Sequence, residues 1–161
     1  MATRSPSRDL FELAGALALC LLTAALGGAV TRTSVDGWYA TLAKPAFNPP
    51  NWLFPPVWTT LFILMGVSLW RLWRQPPGPA RSRALLLFAV QLALNLLWSC
   101  LFFGLRLPAA ALVEIAFLWI AILGTIQAAR LVDGLGALLL APYLAWVSFA
   151  ALLNASIVWL N

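Results

Sequence analysis

A chain of 161 residues that is 63% hydrophobic and 9% charged, with a mean hydropathy of +0.91, lies far from soluble proteins, which are about 45–50% apolar and about 25% charged. That composition reads as an integral membrane protein with room for about five to six spans of roughly 20 residues and no second domain. The net charge of +5 does not point to nucleic acid, because the arginines sit at the ends of apolar runs and act as topology signals; with no histidine in the chain, no metal site is expected and no cofactor is required.

Residues 1–8 form a short basic tail, and the first apolar run covers residues 10–30. It is longer than the roughly 7–15 residues of a signal-peptide core, so it predicts a transmembrane helix. Residues 31–54 follow as a loop that shares an aromatic, proline-rich stretch with the start of the next run: W-Y-A-T-L-A-K-P-A-F-N-P-P-N-W-L-F-P-P-V-W at 38–58. Pro45, Pro49, Pro50, Pro55 and Pro56 remove backbone donors and fix φ, so most of the stretch is expected to be irregular, stiff and compact. A long aromatic loop of this kind reads as a lid. The second span is placed at 55–73, stopped by Q-P-P-G-P at 75–79. The third covers 84–104, with Gly104 as its C-cap. The fourth covers 108–129, opened by Pro108, and the fifth is a single helix over 135–160. The expected fold class is an all-α membrane protein, a five-transmembrane-helix bundle in one domain over 1–161.

Five spans put the termini on opposite sides. One side carries Arg4, Arg8, Arg71, Arg74, Arg81, Arg83 and Arg130, the other Arg32, Lys44 and Arg106. The bias predicts a cytoplasmic N-terminus and an external loop, in what reads as a bacterial cell membrane. Cys20 falls mid-span and Cys100 near a span end, about 9 Å apart in depth at 1.5 Å per residue, so a disulfide is not expected.

Helical spacing then gathers polar and aromatic groups. Gln91, Asn95, Trp98 and Ser99 share one face of the third span, and Tyr143, Trp146, Ala150 and Asn154 one face of the fifth. Trp58, Phe62 and Met65 share a side of the second. These faces lie at similar depth below the loop and describe an amphipathic cavity. Glu114 reads as the one acidic residue inside a span: an intramembrane carboxylate is functional by default, yet two turns from an interface it can also snorkel or be protonated. Trp52, Trp70, Trp73 and Trp159 sit at span ends and read as interface anchors, whereas Trp98, Trp119 and Trp146 lie deeper, in the core or the cavity. Gln91 and Asn95 have the alternative of simply bonding between helices.

Several motifs in order resemble the TspO/MBR family, the tryptophan-rich sensory and translocator proteins once called peripheral benzodiazepine receptors. They are G-W-Y-A-T-L-A-K-P at 37–45, N-P-P at 48–50, P-V-W-T-T-L-F at 56–62, Gly66, Q-L-A-L-N at 91–95, F-F-G at 102–104, A-L-V-E at 111–114, P-Y-L-A-W at 142–146 and L-N at 153–154. The resemblance covers residues 10–161 and implies a five-helix, typically dimeric bundle that binds porphyrins such as protoporphyrin IX and haem, and drug-like benzodiazepine-type ligands, under the first loop. The ligand-binding residues it implies are Trp38, Trp58, Phe62, Asn95, Trp98, Trp146, Ala150 and Leu153. It implies Trp58 and Trp146 as catalytic residues if light-dependent porphyrin degradation operates. A porphyrin wants aromatic walls for its faces and cations or amides for its carboxylates, so Arg32 and Lys44 join Asn95 as candidates for the rim.

Three functions follow from the resemblance: a sensor or regulator of tetrapyrrole and stress responses, a light-dependent porphyrin-degrading enzyme, and a transporter. The third lacks the paired midplane charges and internal repeat common in transporters. The sterol motif of animal relatives is also missing, since 150–161 reads A-A-L-L-N-A-S-I-V-W-L-N without its tyrosine or basic residue. For assembly, Ala89 and Ala93 offer a small-xxx-small pair on the third span, with Ala121, Thr125 and Ala129 on the fourth as the competing patch.

Overall fold

The computed structural model describes residues 5–161, so Arg4 and the start of the basic tail lie outside the described residues. Seven α-helices occur there: α1 (Pro6–Arg32), α2 (Trp38–Thr41), α3 (Phe54–Trp73), α4 (Pro79–Ser99), α5 (Pro108–Arg130), α6 (Gly134–Leu138) and α7 (Ala141–Leu160). Five helical segments are long and apolar enough to cross a membrane: Pro6–Arg32, Asn51–Trp73, Pro79–Gly104, Pro108–Arg130 and Gly134–Leu160. Their outward surfaces are apolar, with Phe11, Leu22, Leu26, Phe117 and Ile120 all exposed. In water such a surface would aggregate, whereas in lipid it is the ordinary exterior.

The first helix starts four residues earlier than hydropathy alone indicates. Ser5 caps it by accepting from the Arg8 N–H, Pro6 stands in the first turn and Asp9 meets the helix dipole. Glu12, already inside the run at 10–30, and Asp9 both lie on this helix, so Glu114 is not the one acidic residue in a span; Glu12 pairs with Arg8 at 3.1 Å near the end of the bundle far from the loop. The fifth span is not one helix. Pro142 has no N–H for the 138 carbonyl, and the chain breaks into α6 and α7 around Leu139 and Leu140.

Gly104 is not a left-handed C-cap. The third span ends in a π-helical turn, Cys100–Gly104, closed by the Leu105 N–H donating to the Cys100 carbonyl at 2.8 Å. The left-handed position falls on Arg106, at φ 58°, a conformation that costs a non-glycine residue roughly 1–2 kcal/mol. Gly104 serves packing: a Cβ there would lie 3.2 Å from Val30 of α1. Ser34 pins this corner to the loop, donating to the Phe103 carbonyl at 2.6 Å while Arg106 Nε donates to Ser34 Oγ at 3.4 Å.

Helices α1 and α3 pack face to face, as do α4 with α5 and α5 with α7, while α3 and α7 meet at few points. At the α1–α3 crossing, a Cβ on Gly66 would stand 3.0 Å from the Leu17 Cα, so glycine sets the approach of the two backbones. The main core contains Cys20, Leu61, Met65, Phe88, Ile115, Ile122, Tyr143 and Val147. At the far end Arg71 of α3 and Gln75 just beyond it grip Asp133 at 3.0 and 2.9 Å, Asp133 caps α6, and Ser68 donates to the Gly136 carbonyl at 2.7 Å. Arg74 pairs with Asp9 at 3.0 Å. Burial alone raises the Asp133 carboxyl, but the Gly136 N–H, Arg71 and Gln75 outweigh it and hold the group below its ordinary value.

Candidate functional site

The loop between α1 and α3 is more ordered than its proline content suggests. It carries α2 and a single 3-10 turn, Asn51–Leu53, that leads straight into α3, whose first turn takes Pro55 and Pro56. Tyr39 is 4% exposed and donates to Asn48 Oδ1 at 2.9 Å; burial pushes its phenol up from the ordinary value. The Asn161 side chain holds the loop from the other side, bonding both the N–H and the carbonyl of Ala43. Under this clasp a second apolar cluster forms from Tyr39, Phe102, Ala111, Leu153 and Ile157.

Between that cluster and the main core lies a cavity of about 700 Å³, within the range of about 300–1,000 Å³ of small-molecule sites. Seven of the residues singled out from sequence line it: Trp58, Phe62, Asn95, Trp98, Trp146, Ala150 and Leu153. Trp38 does not; its ring packs edge-on against Phe102 at 5.7 Å, behind the wall. Lys44 also stands away, with Nζ bonded to the carbonyls of Ala40 and Leu42 and held over the Tyr39 ring. Arg32 lines the cavity, with Asp36 beside it in the lining.

The walls are braced aromatic rings. Trp98 stacks on Phe102 at 5.2 Å, and its indole N–H donates to Asn154 Oδ1 at 3.2 Å; Asn154 in turn donates to the Pro108 carbonyl at 2.8 Å. Across from it, Trp58 and Trp146 meet at right angles with centroids 6.4 Å apart, and Phe54 meets Trp146 at 6.0 Å. These contacts fill the sparse seam between α3 and α7. The indole N–H of Trp146 has no partner among the described residues, which leaves a donor at the wall. Asn95 Nδ2 donates to the Tyr143 hydroxyl at 2.9 Å. Trp119 lies elsewhere, bonded to Ser148 at 2.8 Å.

Sequence reasoning missed most of one wall. Ala24, Gly27, Gly28 and Thr31 of α1 line the cavity, and so do Tyr39 and Phe103. Small residues at i, i+3, i+4 and i+7 were the available signal: they leave the helix backbone open to the cavity.

A bundle of five spanning segments around a loop-covered aromatic cavity defines a small polytopic membrane protein. The chain matches the TspO/MBR family over residues 16–160, and it belongs to that family. It is 45% identical to the tryptophan-rich protein TspO of Chlorobaculum tepidum over 96% of this chain and 99% of that protein. It is 40% identical to the translocator protein of Bos taurus over 80% of this chain and 78% of that protein, and 39% identical to the tryptophan-rich sensory protein of Cereibacter sphaeroides over 78% of each.

Proposed function

We propose that the protein binds porphyrins such as protoporphyrin IX and haem, and benzodiazepine-type ligands, in this cavity, and acts as a sensor or regulator of tetrapyrrole and stress responses. The observation that carries the reading is the pairing of braced aromatic walls with a polar lining. Trp98 and Phe102 on one side and Trp58, Trp146 and Phe62 on the other suit the faces of a macrocycle; Asn95, Arg32 and the Trp146 N–H suit its carboxylates. Titrating protoporphyrin IX in the dark against tryptophan fluorescence tests it. Saturable quenching, competed by a benzodiazepine-type ligand, is the expected result; quenching that grows without saturation means partition into lipid and sinks the reading.

Light-dependent porphyrin degradation is the second reading, favoured by the contact of two indoles, Trp58 and Trp146, on one wall. Illuminating the complex with and without oxygen separates it from binding alone. We further infer a homodimer through α4 in a bacterial cell membrane, with the N-terminus in the cytoplasm. Ala89 and Ala93 line an exposed groove of about 640 Å³ between α1, α3 and α4, whereas Thr125 and Ala129 of the competing patch are buried within the chain.

A further inference from the structure

The aromatic cavity is not sealed on every side. The cavity-lining residues on α4, the π turn and α7 are buried or half-buried, whereas the exposed ones come from α1, the start of α3 and the loop ends beside them. On α1 they include Leu21, Ala25, Gly28 and Arg32, spaced i, i+4, i+7 and i+11, which is one stripe along the helix. Pro55 and Thr59 of α3 supply the other rim. A residue that lines a cavity and is also exposed stands at its mouth, so the mouth is a slot between α1 and α3. A Cβ on Gly28 would meet nothing within 4 Å, so the slot is open there.

The slot closes at the crossing where Gly66 of α3 approaches the Leu17 backbone, one turn from Leu21. From Leu21 to Arg32 the stripe runs roughly 16 Å at 1.5 Å per residue, about half of a hydrocarbon core some 30 Å thick. Because α1 is a spanning segment that ends at Arg32, most of this opening faces lipid rather than water. Its rim offers a passing molecule little to hold: the Thr31 and Thr59 hydroxyls donate to the Gly27 and Pro55 carbonyls of their own helices, at 2.9 and 2.8 Å. Charge enters at the top of the slot, where Arg32 and Asp36 line the cavity at the helix end. The cover, by contrast, is fastened on the opposite side, through Ser34 to the π turn and through Ala43 to Asn161 beyond α7.

We propose that the cavity exchanges its guest with the bilayer through the slot between α1 and α3 while the loop stays shut, so that this face receives flat amphiphiles dissolved in the membrane. The proposal rests on the porphyrin reading above. A ring system slides edge-on between the helices into the aromatic walls, and its carboxylates stay at the level of Arg32, where they keep contact with water and a cation. No fastening of the cover breaks, and the hydroxyls of the rim keep their bonds.

The test follows protoporphyrin IX exchange in the dark by stopped-flow tryptophan quenching, with the full chain in liposomes. Ala25→Trp and Thr59→Phe each put a ring into the slot from an exposed position, one on each rim. Association and dissociation should slow together by about tenfold, equivalent to about 1.4 kcal/mol on the barrier, whereas loss of a wall contact would speed dissociation alone. A second variant locks the cover: Ala43→Cys with Asn161→Cys joins by a disulfide the two residues that already bond each other. Oxidised and reduced forms of that chain should exchange at the same rates. Exchange that stops on oxidation and returns on reduction means that the guest passes the loop, and overturns the proposal. If the cysteine pair does not oxidise, the rim variants decide alone, and rates equal to those of the unmutated chain in both overturn it. Failure of the ligand reading shows differently, as quenching that does not saturate at equilibrium in the unmutated chain, and it removes the slot's role with it.

Discussion

The two ends of the bundle are held together by different physics. Away from the loop, α1 and α3 approach to backbone contact at Gly66, and charged and amide groups close the end through Arg71, Gln75, Asp133 and Arg74. At the loop end α3 and α7 stand apart and aromatic rings span the gap, with the covering segment fastened by hydrogen bonds from Ser34, Tyr39 and Asn161. In the half away from the loop, the space outside the close contact is the open groove of about 640 Å³ between α1, α3 and α4, lined mostly by aliphatic side chains, with Phe88 and Trp73. The loop end gives up backbone contact for a cavity, and the rings that replace it are stiff enough to hold their positions. The bundle thus places its charged closure and its aromatic cavity at opposite ends.

Substitutions that fill or loosen one end should leave the other alone. The largest effect is expected from Ala150→Phe, which puts a ring into the cavity beside Trp146: affinity in a dark porphyrin titration should fall by about 2–3 kcal/mol, roughly 100-fold, with little change in melting temperature. Equal loss of stability would mean that the cavity is part of the packed core. Gly66→Ala is the mirror experiment. Its added methyl meets the Leu17 backbone, so stability should drop by about 1–3 kcal/mol in a thermal melt while affinity per folded molecule holds.

Asp133→Asn should cost about 1–2 kcal/mol by weakening the grip of Arg71 and Gln75. Because the folded carboxyl lies below its ordinary value, its contribution is complete above the unfolded value and is lost as pH falls through the folded one. Melts from neutral to acid pH should therefore show a decline that Asp133→Asn flattens. Trp146→Phe keeps a wall and removes the indole: dark binding should stay within about tenfold, or 1.4 kcal/mol, and any photodegradation should fall sharply. Undiminished degradation removes Trp146 from that chemistry. The smallest effect on folding is expected from Ala89→Phe, which should shift the detergent-solubilised protein towards monomer if the exposed α4 groove is the interface; an unchanged dimer rules that face out.

The five spans were legible from sequence because hydropathy and proline positions act locally: each run must satisfy its own backbone bonds in lipid. Cavity walls on the second, third and fifth spans were legible for a related reason, since helical spacing fixes which side chains share a face, and Trp58, Asn95, Trp98 and Trp146 carry enough chemistry to mark those faces. Tertiary structure decided the rest. Apart from Leu21 and Arg32, the α1 wall consists of alanine, glycine and threonine, whose part depends on what stands opposite them. Whether Trp38 reaches the cavity was settled by the Phe102 ring standing in its way, and whether Lys44 does by the nearby carbonyls that its ammonium takes. Gly104 carries a local signature of helix termination, yet it ends a π turn packed against Val30, and the left-handed conformation falls on Arg106. Sequence determines what each helix is made of and where it must stop; which face meets a neighbour, and which is left to enclose a space, depends on close packing between segments far apart in the chain.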